Sequence, residues 1–341
     1  MTTSKELVQA ALNCEEVDRI PFFPPFQGFW ALAYSNVTVM ESINNPKVAA
    51  EAQFRVIDDC HIDGLETMWD WLIPAEVMGC GVKIPETGTI PTMTHIINEE
   101  GDLDKIEPPD PKVVHDFYRF KAARETTEIM ADRIGKDHYL IASWPAPFTI
   151  AGELRGVEAM MMECFVEEDF IHALVDKSVE ISKVFLEQIN EWPVDAAVVA
   201  DPTASGDLVS ADDYAKFSLN ATKQIVKCLK SGGKEEINHI CGNTFDRIEH
   251  VYETGSIAYS VDFQVDMGEA VKKMNGRMAM IGNINPAATI FSGTPESVRK
   301  ETKEILEKGG KVGFLFGSGC DIPVGSAYEN VHAMSEVFMN F

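Results

Sequence analysis

Runs of apolar residues of strand length alternate along this chain with longer segments of helical periodicity. Most of these runs are continuously apolar, which is typical of strands buried on both faces of a parallel sheet that helices cover. We expect strands at Tyr139–Trp144, Ala196–Ala200, Glu236–Ile240, Ala258–Phe263, Met278–Ile284 and Val312–Phe316, with weaker candidates at Arg19–Phe26 and Gly64–Trp69. Roughly eight strand-then-helix units predict an α/β fold, with a closed (β/α)8 TIM barrel as the first choice and an open doubly wound sheet as the second.

Residues typical of helix ends support this division. Lys112–Gly135 is predicted to be one helix because it ends at a glycine, as helices often do. Ser210 is a candidate N-cap for the helix at Tyr214–Leu229, with an acidic residue three positions after it. The helix at Val298–Lys308 is preceded by Thr294-Pro295-Glu296, which places proline at the first helical position.

Two segments lie outside the repeating units. The residues before the first strand form an N-terminal extension, and Val82–Ile84 and Thr92–Ile97 are predicted to pair as a small hairpin insertion. No internal repeat, low-complexity segment or linker interrupts the sequence. We therefore expect one domain that spans residues 1–341.

The charge balance restricts the partners of this chain. Its 341 residues include 29 lysines and arginines and 54 aspartates and glutamates, which gives a net charge of −25. Nucleic acids, anionic membranes and polyanionic substrates are bound by basic patches, so we expect none of them as a partner. Solubility is the simpler reason for such a charge, and an acidic patch that docks a partner protein is the alternative.

The cysteines indicate a reducing compartment. There are seven, an odd number, and they are too widely scattered to resemble a disulfide framework. The first residues have no apolar core of a signal peptide, and no apolar run is long enough to span a bilayer. We expect a cytoplasmic protein with free thiols, in which cysteines beside a histidine more often bind a metal than form a bridge.

Three residues at predicted strand ends form a candidate metal site. His239 and Cys241 close one strand and are two positions apart, so on an extended segment their side chains point to the same face. Cys320 follows the last strand, and the carboxyl ends of barrel strands meet at one rim. An imidazole and two thiolates are a soft donor set that favours zinc and leaves one tetrahedral position open, as catalytic zinc sites do.

Other strand ends on the same rim are polar. Asp201, Asp262 and Asn283 each stand at or just after the end of an apolar run. Turns also favour these residue types, so ordinary turn chemistry is the alternative to a shared pocket. We expect the pocket.

Four segments resemble the uroporphyrinogen decarboxylase superfamily, and more narrowly its zinc-dependent, corrinoid-linked methyltransferase branch: Ala200–Ser205, His239–Asn243, Met280–Ile284 and Gly317–Cys320. The resemblance runs over nearly the whole chain. It implies the barrel fold, zinc bound by His239, Cys241 and Cys320, and methyl exchange with a cobalamin that a partner corrinoid protein carries.

The resemblance also implies roles for carboxylates. Asp262 matches a position where the methylcobamide:coenzyme M methyltransferases of this branch carry a glutamate, so it is the expected exchangeable fourth zinc ligand. Asp262, Asp201 and Glu66 are the candidate acids or hydrogen-bond partners, and one carboxylate is expected to accept the free ring N–H of His239. The decarboxylase activity itself is disfavoured, because the segment from Pro21 to Trp30 lacks the arginines that bind its polyanionic substrate.

Two directions of methyl transfer are open at this point. A small thiol such as coenzyme M accepts the methyl group as a zinc-bound thiolate, or a methylated substrate gives its methyl group to the cobalamin. An aromatic cluster near the first two strand ends suits a methoxylated aromatic substrate, although the same rings also suit a core. We therefore expect an O-demethylase component first and a thiol methyltransferase second. The expected substrate-binding residues are Phe26, Trp30, Trp69 and Asn283, with Phe29 and Trp71 completing the cluster.

A non-catalytic alternative belongs to another class of protein. In it the zinc is structural, and the barrel only holds a corrinoid or a partner protein. A fourth cysteine or histidine near the three would favour this alternative, and the sequence shows none there. A homodimer is a candidate oligomeric state.

Overall fold

A computed structural model of the chain describes residues 2–339 and 341. Its strands are β1 Gly64–Met68, β2 Gly81–Val82, β3 Thr92–Thr94, β4 Tyr139–Pro145, β5 Ala196–Ala200, β6 Glu235–Ile240, β7 Ala258–Val261, β8 Ala279–Ile284 and β9 Phe314–Ser318. Seven of them form one parallel sheet in the order β1-β4-β5-β6-β7-β8-β9. The antiparallel pair β2 and β3 is the predicted hairpin insertion, shorter than expected.

An irregular segment lies between the two edge strands of this sheet. Phe22 bridges Phe316 of β9 in parallel, and the backbone N–H of Phe23 donates to the Phe316 carbonyl at 2.7 Å. On the other side the N–H of Asp63, next to β1, donates to the Phe22 carbonyl at 2.9 Å. The segment therefore holds the place of an eighth strand, and the predicted (β/α)8 TIM barrel is confirmed.

The prediction of a regular strand at Arg19–Phe26 is wrong. Pro21, Pro24 and Pro25 have no backbone N–H, so this segment cannot form the ladder of hydrogen bonds that a strand needs. Among the described residues, its one β-bridge joins Phe22 to Phe316 of β9.

Helices surround the sheet. They are α1 Ser4–Leu12, α2 Gly28–Tyr34, α3 Val39–Asn44, α4 Pro46–Cys60, α5 Ile73–Val77, α6 Pro111–Asp116, α7 Tyr118–Ile134, α8 Pro147–Arg155, α9 Val157–Val166, α10 Glu168–Ile189, α11 Ala211–Asp213, α12 Leu219–Ser231, α13 Ile248–Thr254, α14 Met267–Met274, α15 Pro295–Gly309 and α16 Tyr328–Phe338. Short 3-10 or π turns occupy Glu100–Lys105, Pro202–Ala204, Tyr214–Ser218, Phe245–Arg247 and Pro286–Phe291. Within the described residues no helix is both long and apolar enough to cross a membrane.

Two predicted helix caps are confirmed, and one predicted helix is divided. Ser210 caps α11, because its hydroxyl accepts the N–H of Asp213, and Thr294 caps α15 in the same way. The single helix predicted at Lys112–Gly135 is two helices, because the backbone at Phe117 is extended and separates α6 from α7.

Alternation along the strands separates two cores. Inner-face residues such as Ile141, Val198 and Ile237 fill the barrel, whereas the residues between them pack against the helices. Each fully buried aliphatic side chain of this kind contributes about 1.5–3 kcal/mol. The same alternation decides which polar residues reach the barrel interior.

Candidate metal centre

The three predicted metal ligands lie together. The ligand atoms of His239, Cys241 and Cys320 all lie within 4.8 Å of one another. The Cys241 sulfur is 3.4 Å from His239 Nε2 and 3.7 Å from the Cys320 sulfur. They come from the ends of β6 and β9, as the predicted barrel rim requires.

These spacings fit zinc. With bonds of about 2.3 Å to sulfur and about 2.0 Å to nitrogen, a tetrahedral ion separates its donors by about 3.4–3.8 Å. The Cys241 sulfur and burial raise the pKa of the Cys320 thiol well above its usual value, and His239 partly offsets them. A cation between the two sulfurs favours their deprotonated forms instead. The donor set and its geometry therefore suit zinc with one position left open.

Two glycines allow the ligand strands to approach. A Cβ added at Gly319 would lie 2.7 Å from the backbone nitrogen of Phe263, so only glycine lets the end of β9 pass the end of β7. Gly242 follows Cys241 with φ of +79°, a left-handed conformation that favours glycine and turns the chain away from the cluster.

A hydroxyl, and not the expected carboxylate, is the partner of His239. Its Nδ1 lies 3.0 Å from the Ser260 hydroxyl oxygen, with both side chains buried. If Nδ1 carries the proton, the N–H donates to Ser260 and leaves Nε2 free for a metal. The ring of Phe26 packs edge-on against the imidazole at 4.7 Å between centroids, so the prediction that Phe26 borders the site agrees with its position.

Asp262 and Asn283 hold the loops beside the cluster. The two carboxylate oxygens of Asp262 accept the backbone N–H groups of Gly242 at 2.8 Å and Phe263 at 2.6 Å. The Asn283 amide donates to the carbonyl oxygens of Asp262 and Val265. Both residues thus position the rim, and their predicted parts in zinc or substrate binding stay predictions.

Glu66 lies inside the barrel. Its carboxylate accepts the Ser143 hydroxyl and, at 3.0 Å, the backbone N–H of Gly28. Burial and the nearby carboxylate of Asp321 raise the pKa of Glu66 well above its ordinary value. Burial also raises the pKa of Asp321 to about 6, although His239 lowers it. Two acids with raised pKa values therefore face the cluster region, and only one of them was predicted.

Asp201 faces the other way. Residues at odd positions on β5 point toward the helices, and the Asp201 carboxylate accepts hydroxyl groups of Thr149 at 2.7 Å and Ser218 at 2.6 Å. Burial raises the pKa of Asp201 to about 6. The structure does not bring this carboxylate to the cluster, so the predicted shared pocket is smaller than expected.

The aromatic cluster predicted to bind substrate is dispersed. The Trp30 ring stacks on Tyr34 at 5.3 Å, and its indole N–H donates to the Ser326 carbonyl in the core outside the barrel. Trp69 packs with Phe29 in a separate apolar cluster. Phe26 packs against His239, and Trp71 lies against the inner core that contains Phe26. The predicted parts of Trp30 and Trp69 in substrate binding stay predictions.

Three residues of the site were not predicted: Ser143, Ser260 and Asp321. The first two follow the parity of their strands, since Ser143 lies two residues after the inner-face Ile141 and Ser260 two before Asp262. That signal was available in the sequence. Asp321 lies beyond β9, where no alternation indicates the direction of its side chain.

Comparisons with known proteins agree with this geometry. The methylcobamide:CoM methyltransferase MtbA of Methanosarcina mazei is 29% identical, covering 99% of this chain and 98% of its own. A uroporphyrinogen decarboxylase of Chlorobaculum parvum is 30% identical, covering 78% of this chain and 75% of its own. The solved structure of a methyltransferase from Methanosarcina mazei has the same fold, with a TM-score of 0.89 at 22% identity over 100% of this chain and 99% of that one.

The resemblance found in the sequence is therefore confirmed. A family model described as uroporphyrinogen decarboxylase (URO-D) matches residues 3–341. The chain belongs to the uroporphyrinogen decarboxylase family, with relatives in its corrinoid-dependent methyltransferase branch.

Proposed function

We propose that this protein is a zinc- and corrinoid-dependent methyltransferase that moves a methyl group between the cobalamin of a corrinoid protein and a small thiol. One observation carries the proposal: two thiols and an imidazole converge at the barrel rim with the spacing of a three-ligand zinc site. A relative that covers 99% of the chain is a methylcobamide:CoM methyltransferase, which supports the same chemistry.

The direction of transfer is the finer part of the proposal. O-demethylation was the first expectation because of the aromatic cluster, and it is not confirmed. Trp30 and Trp69 pack in other apolar clusters than Phe26, which weakens the case for a large aromatic substrate. A small thiol needs only the open zinc position, so we favour the thiol as methyl acceptor.

Zinc, when bound, supplies a Lewis acid that makes a coordinated thiol ionise at neutral pH. His239, Cys241 and Cys320 would hold it. Ser260 fixes the ring of His239 so that Nε2 faces the two sulfurs, and Phe26 packs against the same ring. Asp262 holds the Gly242 turn in place and thereby positions Cys241.

Glu66 has a separate role in this proposal. Burial and the nearby carboxylate of Asp321 raise the pKa of Glu66 well above its ordinary value, which favours a neutral, polar group inside the barrel. A neutral carboxyl group does not repel a thiolate, whereas a second charge beside the cluster would. Glu66 therefore tunes the site without touching the ligands.

The decarboxylase reaction fits this chain poorly. The segment from Pro21 to Trp30 contains no lysine or arginine. Within residues 2–339 and 341, no lysine or arginine forms an ion pair with Glu66, Asp262 or Asp321 either. A substrate with many carboxylates would meet other carboxylates there, at a large desolvation cost.

Free cobalamin tests both the function and the direction. The zinc-loaded protein is incubated with methylcobalamin and small thiols, including coenzyme M, while loss of the methylcobalamin absorbance is followed. In parallel it is incubated with cob(I)alamin and a panel of methoxybenzoates, methylamines and methanol. We expect demethylation of methylcobalamin by a thiol. Methylation of cob(I)alamin by a compound of the panel, without demethylation of methylcobalamin by any thiol, would overturn the direction. No reaction in either assay would overturn the function.

A further inference from the structure

We propose that three exposed apolar side chains at the barrel rim, Leu208, Phe263 and Phe291, form the surface on which the cobalamin-carrying protein docks. We call them the rim residues. They are 51%, 43% and 50% exposed, unlike the apolar residues of the two cores. The inference rests on the proposed function, because it assigns a partner to the same site.

The rim residues stand on three different connections at the end of the barrel that carries the cluster. Leu208 follows β5, Phe263 follows β7, and Phe291 ends the turn after β8. Strands β5 to β8 are neighbours in the sheet, so these connections lie side by side. Exposed apolar groups on separate loops at one end are typical of a protein-binding face.

Backbone contacts join this surface to the cluster. The backbone nitrogen of Phe263 lies against Gly319, the residue before Cys320. The N–H of Gly206, two residues before Leu208, donates to the Cys241 carbonyl at 3.3 Å. A molecule seated on Leu208 and Phe263 therefore contacts the loops that are bonded to the cluster, where a methyl donor too large to enter the barrel must bind.

Hydrogen bonds keep the supporting loops in place. The Gln264 amide donates to the Asp207 carboxylate at 3.3 Å, which links the loops of Phe263 and Leu208. Glu301 accepts the backbone N–H of Asn285 and the hydroxyl of Thr289, which fixes the turn that ends at Phe291. Loops held in this way present a preformed surface, which lowers the entropy cost of binding.

Charge favours a different protein over a second copy of this chain. A cleft of about 270 Å³ beside Phe263 is lined by the acids Asp266, Glu301 and Glu304, with Lys308. The whole chain carries a charge of −25, so two copies repel each other. A partner with basic side chains around its cobalamin would complement this face.

Kinetics with two methyl donors tests the proposal. One donor is free methylcobalamin, and the other is a corrinoid protein, loaded with methylcobalamin, that the unaltered enzyme demethylates. For the variant L208S/F291S we expect kcat/KM with the protein donor to fall about tenfold or more, with the free donor unchanged within about twofold. The matched control is F165S, which removes an apolar ring that is 76% exposed on α9 and should affect neither donor. Zinc content and melting temperature establish that each variant folds.

Three outcomes would overturn the docking surface. One is an unchanged kcat/KM of L208S/F291S with the protein donor. Another is an equal loss in F165S. The third is a change in the sedimentation of L208S/F291S without a kinetic effect, which would assign the surface to self-association. Failure of the unaltered enzyme with free methylcobalamin and with every corrinoid protein tried would instead overturn the proposed function.

Discussion

Both faces of β6 carry buried polar residues, but only on the inner face do the described residues provide hydrogen-bond partners. On the inner face His239 is partnered by Ser260 and stands beside Cys241. On the outer face Glu236 and Asn238 are buried against the helices. Among the described residues, no partner lies at hydrogen-bond geometry to their side-chain oxygen and nitrogen atoms. The polar side chains of the inner face are placed for chemistry. Those of the outer face lower the stability of the fold, because buried polar groups without hydrogen bonds are costly.

The comparison predicts that inner-face changes abolish or slow the reaction and that outer-face changes alter only stability. Cys320→Ala should have the largest effect. With two ligands left, we expect zinc content to fall below one ion per four chains and methyl transfer to fall more than about 100-fold. Metal analysis and the methylcobalamin assay measure both.

Cys228→Ala is the matched control for this variant. Cys228 is a half-buried thiol on α12 that is not among the clustered metal-ligand candidates. It should keep its zinc and its activity. Full zinc content and full activity in Cys320→Ala would show that the cluster is not the metal site.

Ser260→Ala tests the support of His239. The imidazole loses the partner of Nδ1, so we expect zinc affinity to fall about 10- to 100-fold while the fold is retained. Competition with a chromophoric chelator measures the affinity. Ser178→Ala removes another buried hydroxyl, one that bonds only within α10, and should leave zinc affinity unchanged. Equal affinities in the two variants would contradict the role of Ser260.

Glu66 and Asp201 are a matched pair of buried acids on opposite faces. Glu66→Gln, inside the barrel, should lower turnover about tenfold and keep zinc bound, because an amide nitrogen cannot accept the hydrogen bond of Ser143 or Gly28 that holds this group in place. Asp201→Asn, outside, should keep turnover and lose about 1–2 kcal/mol of unfolding free energy, because an amide nitrogen cannot accept from a hydroxyl. Turnover and urea unfolding are measured for both variants. Lower turnover in Asp201→Asn with unchanged turnover in Glu66→Gln would contradict both assignments.

Glu236→Gln should leave the reaction unchanged, and its effect on stability should depend on pH. Burial raises the pKa of Glu236 to about 8, with Ser256 and Lys230 only partly opposing it. An acid whose pKa is higher in the folded state stabilises the fold below its unfolded pKa, and this stability is lost as pH rises through the folded pKa. Between about pH 5 and 8 the variant should therefore gain at least about 1 kcal/mol relative to the unaltered protein.

Urea unfolding at the two pH values measures this change. Glu235→Gln is the control, because that neighbouring carboxylate is only partly buried and lies 3.7 Å from Lys230. It should show no such gain. A constant difference between Glu236→Gln and the unaltered protein across this range would disprove the buried titration.

The barrel and the cluster were predictable because both depend on short-range patterns. A histidine and a cysteine two positions apart share a face of a strand, and parallel strands bring their carboxyl ends to one rim. The acids and aromatic residues were harder, because one position of strand parity separates the interior from the helix layer. Asp201 lies toward the helix layer for this reason, and Ser260 was overlooked. Trp30 lies on helix α2, where strand parity gives no information.

Prolines explain the remaining difference in the fold. The segment Arg19–Phe26 has the apolar character of a strand, but three of its residues cannot donate a backbone hydrogen bond. It takes the place of a strand through one bridge to Phe316 and a hydrogen bond from the N–H of Asp63. Its apolar residues indicate where this segment lies in the barrel. Its irregular backbone is indicated only by the prolines, which have no backbone N–H.

The bridge that closes the barrel also affects folding during synthesis. Phe22 pairs with Phe316, so the first part of the chain finds its partner only when the last strand has been made. A ribosome adds about 5–20 residues per second, so Phe22 waits roughly 15–60 seconds for Phe316. Until then the barrel cannot close, so its closure comes only near the end of translation.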